Sequence, residues 1–175
     1  MDHADHVRLL KDGVTRGGIW ADLGAGTGAF TLALAELVGP GGEVIAVDRD
    51  RGALRELERA VPPGGAAIRT LAGDFTKPID LPALDGVVMA NSLHFVEDKN
   101  PVLALVRRAL KPSGRLLLVE YDADRGNPWV PHPLSFETWR ELADSNGFTR
   151  TRKLGSVPSR FLGRIYSAAS VAEAK

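Results

Sequence analysis

Ile19-Trp20-Ala21-Asp22-Leu23-Gly24-Ala25-Gly26-Thr27-Gly28-Ala29-Phe30 reads as a short apolar strand, a glycine-rich turn and the first turn of a helix. Ile19 to Leu23 is too short and too apolar for a surface helix, and suits a strand buried on both faces of a parallel sheet. Gly24, Gly26 and Gly28 then remove a Cβ at every second position, which lets backbone amides approach a ligand and adopt positive φ. The following helix points its free N–H groups and positive dipole end back at the same spot. The expected guest is a polar or anionic small molecule.

A glycine-rich turn alone also serves tight strand-to-helix geometry, so a second marker is needed. Asp48 supplies it. It closes the next apolar run, Glu43-Val44-Ile45-Ala46-Val47, and lies 20 residues beyond Gly28. An acid at the end of a second strand, about that far along, is positioned to accept hydrogen bonds from ribose hydroxyls. Together the two markers predict an adenosine-containing cofactor. Dinucleotide turns read Gly-x-Gly-x-x-Gly, whereas here the order is Asp22-x-Gly24-x-Gly26-x-Gly28. A carboxylate beside the turn repels a pyrophosphate and attracts an ammonium or sulfonium cation.

At this point the chain resembles the class I S-adenosylmethionine-dependent methyltransferases, whose first motif is an acid followed by Gly-x-Gly-x-Gly. Further markers follow in order: Asp48, Gly73-Asp74-Phe75 after a third strand, Asn91-Ser92-Leu93-His94 after a fourth, and Leu110-Lys111-Pro112-Ser113-Gly114-Arg115 before a fifth. The last is typical of the small-molecule methyltransferases of this group. The resemblance implies an α/β, Rossmann-like three-layer sandwich with a mostly parallel seven-stranded sheet and a reversed last strand. It also implies S-adenosyl-L-methionine as cofactor. Gly24, Gly26 and Gly28, with Asp22 and Ala25 beside them, would line its methionine part. Asp48, flanked by Arg49, would hold the ribose. Asp74 and Phe75 would border adenine, and Asn91 the cofactor as a whole. No Asn/Asp-Pro-Pro-aromatic motif follows the fourth strand, which lowers the expectation of methylation at base or amide nitrogens.

At 175 residues the expectation is one domain over 1–175, large enough to bury roughly 70% of its unfolded surface. There is no cysteine, so neither disulfides nor thiolate zinc sites are expected. No apolar run approaches the roughly 20 residues of a membrane span, and Met1-Asp2-His3-Ala4-Asp5 is not a signal peptide. The reading is a cytoplasmic protein without membrane contact. Formal charge is zero, with 22 basic and 22 acidic residues. A general pull toward nucleic acid is therefore not expected.

Along the chain, 1–18 forms a short preface with a helix from His3 to Lys11. His3, His6, Asp2 and Asp5 cluster there, but chain ends fray and no metal is expected. The first long helix spans about Gly28 to Val38. Asp50 caps a second, Arg51 to Ala60, which turns Leu54, Leu57 and Val61 inward and ends at Pro62-Pro63-Gly64-Gly65. Asn100 caps a third that stops at Lys111-Pro112-Ser113-Gly114, before a strand from Arg115 to Glu120. The segment 121–134 is a substrate-side loop. Ser135 caps the last helix, with Leu134 and Trp139 spaced as a hydrophobic staple. Phe148 to Leu154 and Arg160 to Ser170 form a terminal hairpin.

The acceptor side is the least legible. His94 is the best-placed candidate for a general base, with Tyr121, Asp122 and His132 behind it; a structural histidine is the competing reading. The methyl acceptor is expected to be a small molecule. Few residues precede the first strand, so the site is open or closed by a partner subunit in a homodimer. Two rival functions stand beside methyl transfer: an NAD(P)-dependent oxidoreductase, opposed by Asp22 and the lack of a Tyr-x-x-x-Lys pair, and a non-catalytic S-adenosylmethionine-binding domain.

Overall fold

A computed structural model describes residues 1–61 and 64–173 of the chain. Its elements follow in the order α1 (His3–Leu10), β1 (Ile19–Leu23), α2 (Ala29–Val38), β2 (Glu43–Asp48), α3 (Arg51–Ala60), β3 (Ala67–Ala72) and β4 (Leu84–Ala90). A single 3-10 turn (Leu93–Phe95), α4 (Asn100–Ala109), β5 (Leu110–Tyr121), α5 (Phe136–Ser145), β6 (Phe148–Ser159) and β7 (Gly163–Ala172) complete it. The described strands form a seven-stranded sheet of order β3-β2-β1-β4-β5-β7-β6. β7 alone is reversed, antiparallel to both β5 and β6. The expected α/β class and reversed last strand are both present.

Alternation along the strands sorts the core into two faces. On one, Ala21, Leu23, Ile45 and Val87 pack with α4 and α5. On the other, Trp20, Val44 and Val88 pack with α1 and α2, and Ala46 with Leu54 and Leu57 of α3. Both faces are covered, which is why β1, β2 and β4 read as continuous apolar runs. Trp20 lies over Gly86, its register partner on β4, at a spot where any Cβ would collide with the indole. Asp85 ties the amino ends of these strands together: its Oδ2 accepts from the Ile19 N–H at 2.8 Å and from Lys111 Nζ at 2.8 Å.

Side chains cap three helices, at Asp50 and Ser135 as the sequence reads and at Asp2 besides. Asp2 accepts from the Asp5 N–H, Asp50 from Gly52 and Ala53, and Ser135 from Thr138. Several boundaries differ. Val61 is the C-cap of α3 and 40% exposed rather than turned inward; the expected stop at Pro62-Pro63 lies outside the described residues. Asn100 is the first residue of α4 and does not cap it. The Asp98 carboxylate accepts from the Asn100 N–H instead. β5 begins at Leu110, which already pairs with Leu84; Lys111–Gly114 form an excursion, with Ser113 at φ 61°, before Arg115 pairs with Gly86. β6 runs on to Ser159 and the turn occupies 160–162. Pro158 is tolerated because β6 is the outer strand.

Candidate active site

The strand order reverses between β1 and β4, and in open parallel sheets ligands bind just beyond the carboxyl ends of the strands at such a point. A cleft of about 380 Å³ opens there. Its walls include Gly24, Gly26, Asp48, Arg49, Asp74, Phe75 and Asn91. Seven residues singled out from the sequence thus converge from four strand ends.

The glycine turn is built to pass close to its neighbours. The N–H groups of Gly24 and Ala25 both donate to the Val47 carbonyl, at 2.9 and 3.0 Å, which bends the chain across the end of β2. Gly24 has φ 85°, and a Cβ there would lie 2.5 Å from the Ser92 Cβ. Gly26 has φ 55° with open space where its Cβ would be, and its N–H donates to Asp48 Oδ2 at 2.8 Å. The other Asp48 oxygen accepts from the Asp50 N–H at 2.8 Å. The carboxylate is fixed by two backbone donors and keeps spare lone pairs toward the cleft.

Asp22, Ala25, Gly28 and His94 do not line the cleft. Gly28, at φ 92°, is the N-cap of α2, and Leu57 packs where its side chain would stand. Asp22 is 1% exposed and accepts from the Thr31 hydroxyl at 2.7 Å. Burial pushes its carboxyl up to about 6; the nearby Asp48 charge adds to this and the Thr31 bond opposes it. Asp74 is held below the usual carboxylate range, first by the Thr76 hydroxyl and then by the Thr76 N–H.

Asn91 takes φ 51° at the end of β4, a left-handed conformation uncommon for a residue with a side chain. Its N–H donates to Val119, while its Oδ1 is buried without a partner. A buried acceptor left unpaired is costly. Here it sits in the wall of the cleft.

Behind the cleft, His94 and Glu120 are 3% and 0% exposed. Glu120 accepts from His94 Nδ1 at 2.9 Å, from the His94 N–H at 3.2 Å and from the Tyr121 N–H at 2.8 Å. An ionised carboxylate only accepts, so Nδ1 carries the proton and Nε2 is left as the proton-accepting position. Among the described residues Nε2 has no hydrogen-bond partner. Glu120 was not singled out from the sequence, although a lone acid at the end of the apolar run Leu116–Val119 is its signal. Ser92, Thr76, Phe95 and Val96 also line the cleft unforeseen.

The remaining acid–base candidates stand apart. Desolvation and the Glu120 charge raise the Tyr121 phenol. Asp122 is committed to the Phe136 N–H and Lys153 Nζ. The loop after β5 does not line the cleft; it is fastened behind it, His132 donating to the His94 carbonyl and Lys99 Nζ to the carbonyls of Val96 and His132.

Residues 21–118 match the model of the methyltransferase domain. The chain belongs to the methyltransferase-domain family. It is 38% identical over 112 residues to the ubiquinone/menaquinone biosynthesis C-methyltransferase UbiE of Pasteurella multocida, covering 62% of this chain and 42% of that protein. To UbiE of Burkholderia mallei it is 32% identical over 132 residues, 75% of this chain and 53% of that one. The chain therefore spans about half the length of these relatives. Among solved methyltransferase structures, the Burkholderia thailandensis 1,6-didemethyltoxoflavin-N1-methyltransferase, with didemethyltoxoflavin and S-adenosylhomocysteine bound, superposes with TM-score 0.76. Its identity is 19%, covering 99% of this chain and 79% of that one, a likeness of fold. No helix of the described residues is long and apolar enough to cross a membrane, and among them no three ligating side chains converge on a metal site.

Proposed function

We propose that this methyltransferase domain binds S-adenosylmethionine in the cleft at the β1–β4 switch point and methylates a small molecule. The observation that carries the reading is the convergence of Gly26, Asp48, Phe75 and Asn91 on one cleft. The residues fit the cofactor. Gly26 leaves its side of the cleft open, Asp48 faces it with an acceptor for ribose hydroxyls, and Phe75 offers a flat apolar wall for adenine. Asn91, whose Oδ1 is buried without a partner, stands in the same wall and would accept from an ammonium or amino group on a small turn of its amide. Asp22, close behind the turn, contributes negative potential rather than contact.

When bound, the cofactor supplies an activated methyl group on a sulfonium together with its own neutral leaving group. The chain's contribution is alignment, worth roughly 7–11 kcal/mol in favourable cases, and a place for the acceptor's proton. We assign that role to His94, whose ring packs 4.3 Å from that of Phe95 on the cleft's rim and whose Nδ1 is held by Glu120. The relatives that carry the UbiE name are C-methyltransferases, and a carbon acid must lose a proton during attack. We therefore favour a small-molecule carbon acceptor, entering past Phe95 and Val96 on the cleft's rim.

The test is His94→Gln, assayed by formation of S-adenosylhomocysteine with a panel of enolisable and phenolic acceptors. Turnover should fall about 10²-fold with cofactor affinity unchanged. Equal turnover would remove His94 from the reaction.

A further inference from the structure

We propose that the tips of the β5–α5 loop and the β6–β7 turn form a docking surface for an anionic lipid bilayer, on the same edge of the sheet as the cleft. Trp129 is 73% exposed and Phe161 59%. Exposed rings mark an interaction site where they lie in one patch. The two tips lie together: Asn127 Nδ2 donates to the Phe161 carbonyl at 3.5 Å, and Asn127 Oδ1 accepts from the Trp129 N–H at 2.9 Å.

The charge around the rings points to the occupant. Arg125, Arg160 and Arg164 are exposed beside them. None of the three forms a salt bridge among the described residues; Arg164 donates only to the Ser156 hydroxyl. The neighbouring acids are already engaged, Asp122 by Lys153 and the Phe136 N–H, Asp124 by the Ser135 N–H. Two apolar rings flanked by Arg125 and Arg160, which pair with no acid among the described residues, and by Arg164, whose charge Asp122 offsets in part, complement lipid phosphates over an acyl boundary. Tryptophan favours that interface, and arginine pairs with phosphate oxygens.

β4 and β5 run parallel, and β6 shares their direction through the reversed β7. Tyr121 and Ser159 therefore end at the edge where the cleft opens, and Phe95, 64% exposed, stands on the cleft's rim. A docked molecule presents its cleft edge to the bilayer, within reach of an acceptor dissolved there. Such a contact lies at the interface and needs no spanning helix.

Lipid binding is read without cofactor or acceptor, so its outcome is separate from that of the catalytic reading. Trp20 and Trp139 are 0% exposed, so a change in tryptophan emission reports Trp129. Vesicles of phosphatidylcholine with phosphatidylglycerol should shift the emission to the blue and carry the protein down on sedimentation; pure phosphatidylcholine should do so far less. Replacing Arg125→Gln, Arg160→Gln and Arg164→Gln together should weaken the partition by about 100-fold, at about fivefold per charge. Trp129→Ser with Phe161→Ser should abolish sedimentation while leaving the melting temperature unchanged. No partition onto anionic vesicles, or partition that both variants retain, overturns the proposal. So does a blue shift that grows with protein concentration in the absence of vesicles, which assigns the patch to a second copy.

Discussion

Replacing Asp22 by asparagine should stabilise the free protein at neutral pH and weaken its hold on a cationic cofactor. Asp22 is buried against Thr31, and its carboxyl is pushed from 3.8 up to about 6, chiefly by desolvation. A carboxyl raised on folding adds nothing below its unfolded value. It opposes folding increasingly as pH rises from about 4 to about 6, and its full cost remains above that. At about 1.4 kcal/mol per pH unit, the cost at pH 8 is about 3 kcal/mol. Asparagine keeps an acceptor for the Thr31 hydroxyl without the charge. Urea denaturation of both proteins at pH 4.5 and pH 8 provides the comparison, because the contributions of all other groups cancel in the difference. Asp22→Asn should gain about 2–3 kcal/mol at pH 8 and about 1 kcal/mol at pH 4.5. If it is no more stable at pH 8, or if the gain is the same at both values, the charge on Asp22 is not what its burial opposes. The same variant should bind S-adenosylmethionine more weakly than wild type, since the carboxylate is retained at a loss of stability for the field it projects.

Other substitutions probe the close approaches. Gly24→Ala places a Cβ against Ser92 at a positive φ; it should lose about 2 kcal/mol of stability and bind cofactor poorly, as thermal melts with and without ligand would show. Gly86→Ala forces the buried Trp20 ring to move and should cost about 2–3 kcal/mol by urea denaturation; it lies at the far end of the strand from the cleft, so affinity measured at low temperature should be unchanged.

The legible parts of this fold are those whose signals are local. An apolar five-residue run, a glycine turn and an acid at the next strand end suffice to place β1, α2 and Asp48. Ser135, Leu134 and Trp139 announce α5 through capping and staple spacing. What was missed depends on contacts between distant segments. The start of β5 at Leu110 follows from its pairing with Leu84, against the stop that Pro112 and Gly114 suggest. Val61 looks like a core residue by helical spacing, but the helix ends before it. Glu120 became a site residue only when β5 was laid beside β4 and brought it to His94, 26 positions earlier in the chain. Asp22 was expected at the cofactor's side. Its parity on β1 turns it toward α2 instead, and Thr31 covers it.

S-adenosylmethionine in the β1–β4 cleft is the central claim to test. Calorimetric titration of the wild type with S-adenosylmethionine, S-adenosylhomocysteine and the nicotinamide dinucleotides, repeated on Asp48→Ala, measures this. The geometry predicts one-to-one binding of the first two alone, weakened at least about tenfold in the variant. Dinucleotide binding, or S-adenosylmethionine affinity that Asp48→Ala leaves intact, would contradict it.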